Sequence, residues 1–97
     1  MSLARAEVRA VKPEKVVLRM VGNETVLLNT DTGRYFALND VGTQVWARLM
    51  SEASVQAACD ALCREFDADL REIEMDVDQL LARLDAEGLV EIRRVEP

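Results

Sequence analysis

Glu24–Met50 reads ETVLLNTDTGRYFALNDVGTQVWARLM, and the order of signals in it decides the fold. ETVLLN, Glu24 to Asn29, is rich in the β-branched and aliphatic residues that suit a pleated surface. TDTG follows, in which Asp31 can start a turn and Gly33 can close it in a left-handed conformation. RYFAL, Arg34 to Leu38, is a second strand, with Phe36 and Leu38 on one face and Tyr35 and Ala37 on the other. Asn39 and Asp40 are good N-cap types, so a helix is predicted to start there and run through VGTQVWARLM. Its shared face is Val41, Val45, Trp46 and Leu49, and Gly42 beside them permits close approach of a neighbour.

Upstream, KVVLRMV (Lys15–Val21) is a further strand, separated from ETVLLN by Gly22-Asn23, the signature of a tight hairpin. Together these runs predict a three-stranded antiparallel meander. Residues 1–14, mixed in charge and weakly patterned, read as a mobile N-terminal arm, with a short strand around Glu7–Val11 as the alternative. Downstream, Ser54 caps a helix from Val55 to about Phe66. Asp69 opens a third helix, with Glu72 at capping-box spacing and an apolar face of Ile73, Val77, Leu80, Leu81 and Leu84. Gly88 ends it, and LVEIRRV (Leu89–Val95) is a final short strand or a tail. The expected architecture is therefore one α+β domain over residues 15–97. A three-stranded antiparallel sheet is followed by three helices in a winged helix-turn-helix-like arrangement.

Composition narrows the function. Ninety-seven residues, 49% hydrophobic and 31% charged, suit one soluble domain. No apolar run approaches the roughly 20 residues of a membrane span, and MSLARAEVRAVKPEK has no apolar signal core. The chain has no histidine, which removes the commonest general base, the usual triads and most zinc sites. Its serines and threonines have no base placed to activate them, so no catalytic residue is assigned. The four glycines are scattered and form no phosphate loop. Cys59 and Cys63 are two thiols without further ligands, too few for a metal site. They sit on the helical stripe of Val55, Ala58, Leu62 and Phe66, so they read as core residues of a protein in a reducing, cytoplasmic compartment. No metal and no cofactor is expected.

Twelve basic against eighteen acidic residues give a net charge of −6. Residues 1–21 carry +3, whereas residues 51–97 carry −8. Phosphate neutralisation supplies most of the affinity of a nucleic-acid binder, so this distribution argues against one. What remains is binding through a sheet edge, whose unpaired N–H and C=O groups can take an extended peptide. The alternative is an edge covered by the N-terminal arm or by a second copy of the chain.

The ordered set Leu27-Leu28-Asn29, Thr32-Gly33, Tyr35-Phe36, Leu38-Asn39, Gly42 and Trp46 resembles the PqqD family of peptide-binding proteins, also called RiPP recognition elements. The Phe66-Asp67 bend and Gly88-Leu89-Val90 extend the resemblance over about residues 16–92. It implies a peptide chaperone with no chemistry of its own. Such a protein binds the leader of a ribosomally synthesised precursor peptide and presents it to a separate modifying enzyme, such as a radical S-adenosylmethionine protein. The pathway implied is pyrroloquinoline quinone synthesis or a related RiPP biosynthesis. TDTGRYFAL, longer and more aromatic than in the quinone-pathway members, places the chain nearer the wider PqqD-like group.

In such proteins the leader adds as a strand beside the third meander strand and against the third helix. Carried onto this sequence, the expected peptide-binding residues are Arg34, Tyr35, Phe36, Ala37, Leu38, Asp76, Val77, Leu80, Leu81 and Leu84. Asp76 and Glu87 would favour a leader bearing Lys or Arg. A homodimer with exchanged strands or helices is compatible with this reading, and neither membrane nor nucleic acid is an expected partner. The competing class is a small winged-helix DNA-binding regulator. Its recognition helix would carry seven acids against Arg71 and Arg83 between Asp69 and Glu87, which repels phosphate.

Overall fold

A computed structural model of the chain describes residues 4–96. A 3-10 turn at Arg5–Glu7 leads into β1 (Val8–Val11). There follow β2 (Val16–Val21), β3 (Glu24–Asn29), β4 (Tyr35–Leu38), α1 (Asp40–Ser51), α2 (Val55–Phe66), α3 (Leu70–Ala86) and β5 (Glu91–Arg94). The meander is present as expected, in the order β2-β3-β4 and antiparallel throughout. Leu27 stands opposite Leu18 and Phe36, and this inward face packs on the helices.

The helix boundaries follow from their caps. Asn39 accepts the Gly42 amide at 2.8 Å and Ser54 accepts the Ala57 amide at 3.0 Å. Asp69 accepts the Arg71 amide at 3.2 Å, one residue short of the Glu72 amide that a capping box would use. At the far end of α3 the Leu89 amide donates to the Leu84 carbonyl at 2.8 Å and the Gly88 amide to Asp85 at 3.0 Å. This is a Schellman closure, and it needs the left-handed φ of +70° that Gly88 supplies. Leu27, Leu62, Leu84 and Leu89 are wholly buried in the core below, with Trp46 and Leu49 from α1 and Cys59 from α2.

One expectation gives way to its stated alternative, the short strand around Glu7–Val11. The residues read as an arm form the 3-10 turn and β1, with Val8 and Ala10 buried, and residues 1–3 lie outside the described part. The physical reason is that LVEIRRV is a strand. β5 pairs antiparallel with β1, Val8 opposite Arg94 and Ala10 opposite Ile92, as a ribbon separate from the meander. Arg5 then reaches α3, its Nε donating to Asp78 Oδ1 at 3.0 Å with Glu74 at 3.8 Å. Among the described residues no helix is long and apolar enough to cross a membrane.

Candidate functional site

Among the described residues β4 is an edge strand, hydrogen-bonded to β3 on one side only. Which of its groups remain free follows from the register. The Asn29 amide donates to the Arg34 carbonyl at 2.8 Å, so residue 34 turns its backbone toward β3. Antiparallel pairs alternate, hence Phe36 and Leu38 also face β3, while the N–H and C=O of Tyr35 and Ala37 point outward. Side chains alternate in the other sense: Tyr35 and Ala37 are exposed, Phe36 is half-buried and Leu38 is buried.

Opposite this edge lies α3, and between the two runs a trough. Its larger part, about 450 Å³, is lined by Gly33, Arg34, Tyr35, Phe36, Arg83, Ala86 and Glu87. A smaller continuation of about 280 Å³ is lined by Phe36 to Asn39, Gly42, Leu80 and Arg83. Three side-chain bridges span it. Asn29, itself buried, donates from Nδ2 to the Glu87 and Gly88 carbonyls at 3.2 and 3.3 Å. Its Oδ1 accepts the Asp31 and Thr32 amides, so one side chain ties the β3–β4 turn to the end of α3. Arg34 pairs with Glu87 at 2.8 Å, and the Arg83 guanidinium lies over the Phe36 ring, 4.7 Å from its centroid.

Of the expected binding residues, Arg34, Tyr35, Phe36, Ala37, Leu38 and Leu80 line the trough, Leu38 mostly from beneath. Val77 and Leu84, exposed by 1% and 0%, lie in the core and do not line the trough. Leu81 turns to the opposite flank of α3, into a cleft with Val8 and Ile92. Asp76 is exposed on the stripe of Leu80, one turn before it, and does not line the trough. This placement has one cause. A helix lying on a core buries its most apolar stripe, here Val77, Leu81 and Leu84, and offers its neighbour a flank. That flank is Leu80, Arg83 and Glu87, spaced i, i+3 and i+7; Leu80 belonged to the expected set and Glu87 was expected as a nearby acid, whereas Arg83 was in neither.

The thiols belong to the core. Cys59 is buried, and burial pushes its thiol up to about 11, against a smaller opposing pull from Arg5. Cys63 lies half-buried with Sγ 2.9 Å from the Ala68 carbonyl. Among the described residues no group of three or more potential ligands could hold a metal ion.

A family model described as coenzyme PQQ synthesis protein D (PqqD) matches residues 24–90, more than half of the chain. The chain belongs to the PqqD family. Among solved structures, the PqqD fold here is similar to TbiB1 in complex with the TbiA(beta) leader peptide. That match has a TM-score of 0.77 and 32% identity over 84% of this chain and 94% of that one. A lasso peptide synthetase B1 complexed with its leader peptide matches in fold, with a TM-score of 0.74 and 24% identity over 89% of this chain and 99% of that one. No curated protein matches the chain. Both of these neighbours are complexes with a leader peptide. The DNA-binding alternative is not favoured.

Proposed function

We propose that this protein binds the leader of a ribosomally synthesised precursor peptide as an added antiparallel strand along β4. It would present that peptide to a separate modifying enzyme, in pyrroloquinoline quinone or a related RiPP biosynthesis. The observation that carries the reading is the outward backbone of Tyr35 and Ala37 beside a trough walled by α3. Main-chain pairing supplies affinity there, and alternate side chains of the guest meet Leu80, Arg83 and Ala86, which sets the choice of peptide. The leader peptides bound to both solved neighbours support the same assignment. The modifying enzyme, for which a radical S-adenosylmethionine protein is the family precedent, is a second chain, and a cytoplasmic setting suits the two free thiols.

The test is a titration of isotope-labelled protein with a synthetic peptide from the short reading frame beside its gene. The largest amide shifts are expected at residues 33–39 and 80–87. Shifts centred on α2, with those two segments unmoved, would refute the trough as the site. Sedimentation of the free protein separates this reading from a strand-exchanged dimer, in which a second copy would occupy the same edge.

A further inference from the structure

The sign of charge in the trough is opposite to what sequence alone implies. Glu87 is engaged by Arg34, and Asp76 lies beyond the lining, so neither carboxylate is free to hold a basic side chain in the middle of the trough. Arg83 is different. It lines both parts of the trough, and among the described residues it makes no ion pair with any carboxylate. Its guanidinium is held over the Phe36 ring, 4.7 Å from the centroid, which reduces the ordering cost of engaging a guest.

We propose that Arg83 is the specificity-determining residue of the trough and takes the carboxylate of an Asp or Glu side chain on the bound strand. This rests on the peptide-binding reading above and adds the chemistry of the guest. The register defines the position. Tyr35 and Ala37 supply the outward hydrogen bonds, so the guest residue opposite Phe36 sits between them in a non-hydrogen-bonded pair, where cross-strand side chains are closest. It turns its side chain to the same face as Phe36, which is the face that carries Arg83. A planar guanidinium can meet a carboxylate there with two parallel N–H donors, a geometry that the lysine ammonium does not offer.

A display library of random peptides about a dozen residues long, selected on the full chain, tests this whatever the natural guest is. Wild-type protein is expected to enrich Asp or Glu at one fixed position. R83E is expected to enrich Lys or Arg at that position. A synthetic peptide from the wild-type selection should bind R83E on the order of tenfold more weakly, R83K falling between. Arg83 is exposed, so these variants should fold, and the far-ultraviolet circular dichroism of each should match the parent. Selected peptides that shift the amides of residues 33–39 but carry no acidic preference would overturn the role of Arg83 and leave the trough standing. The same preference in R83E would also overturn it. Selected peptides that leave residues 33–39 unmoved would overturn both readings.

Discussion

The two flanks of α3 carry clefts of the same size, about 450 Å³ each, and differ in what the sheet offers them. On one flank the lining takes Gly33, Arg34, Tyr35 and Phe36 in succession, where the chain enters the edge strand β4. On the other, Val8 and Ile92 belong to the same face of the β1–β5 ribbon, so that cleft meets side chains rather than free backbone. The second cleft is also held by the chain itself, through Arg5 on Asp78 and Glu74. Volume does not separate a peptide site from a packing defect here. Unsatisfied hydrogen-bonding capacity along one strand does.

The strongest lever on that contrast is the joint that sets the trough's geometry. A Cβ at Gly88 would lie 2.7 Å from Asn29 Nδ2, at a φ of +70° that L side chains rarely adopt. Gly88→Ala should therefore lower stability by about 2–3 kcal/mol, combining left-handed strain with displacement of a buried amide from its carbonyl partners. Urea denaturation measures it. A variant as stable as the parent would mean that the Asn29 joint is not what fixes α3 against the β3–β4 turn.

The edge itself is broken by Ala37→Pro. Proline removes the outward N–H and is tolerated on an edge strand, so folding should survive while peptide affinity falls about tenfold, roughly 1.4 kcal/mol. Calorimetric titration with a library-selected peptide reads this. Undiminished binding would place the guest elsewhere than along β4.

Much of this was legible in the sequence, and the gaps have physical causes. Caps at Asn39, Ser54 and Asp69 and the turns at Gly22 and Gly33 are local signals, so the meander and all three helices could be read directly. The ribbon could not. Val8–Val11 and Glu91–Arg94 are four residues each and stand at opposite ends of the chain, and neither has a period-two pattern long enough to identify a partner. The β4 wall of the trough was legible because a third meander strand with no successor must be an edge. The α3 wall was not. Apolar spacing reveals which stripe of a helix is buried, whereas the stripe facing a neighbouring edge depends on how the helix is rotated about its axis. Arg83 shares a stripe with Leu80 and Glu87, which is the one sequence signal that could have pointed to it.

Cys59, beneath the second flank, tests whether that side is a sealed part of the core. Its thiol titrates near 11 because burial disfavours the thiolate. Between about pH 9 and that value the unfolded chain has released the proton and the folded chain has kept it. Stability must then fall as pH rises through this window, by on the order of 1 kcal/mol at about pH 10. The comparison is the loss between neutral pH and about pH 10 in the parent and in Cys59→Ala, since other groups titrate in both. An equal loss in the two proteins would show that Cys59 is hydrated and the flank open.

The smallest effect is expected at Arg5, and it bears most directly on the comparison. Arg5 and Asp78 are both partly exposed, with side chains at 34% and 48% accessibility, so solvent screens their attraction. Arg5→Ala should cost no more than about 0.5 kcal/mol, the worth of an ordinary surface pair. It removes the side chain that rims the second cleft, leaving Val55, Leu81 and Ile92 around a wider opening. If volume and apolar lining were enough to make a peptide site, the variant would gain a second binding event. If free strand backbone is the requirement, titration of Arg5→Ala with a library-selected peptide should give one site, unchanged affinity and amide shifts still confined to residues 33–39 and 80–87. A second set of shifts at residues 78, 82 and 85 would show that the two flanks differ only by the clamp.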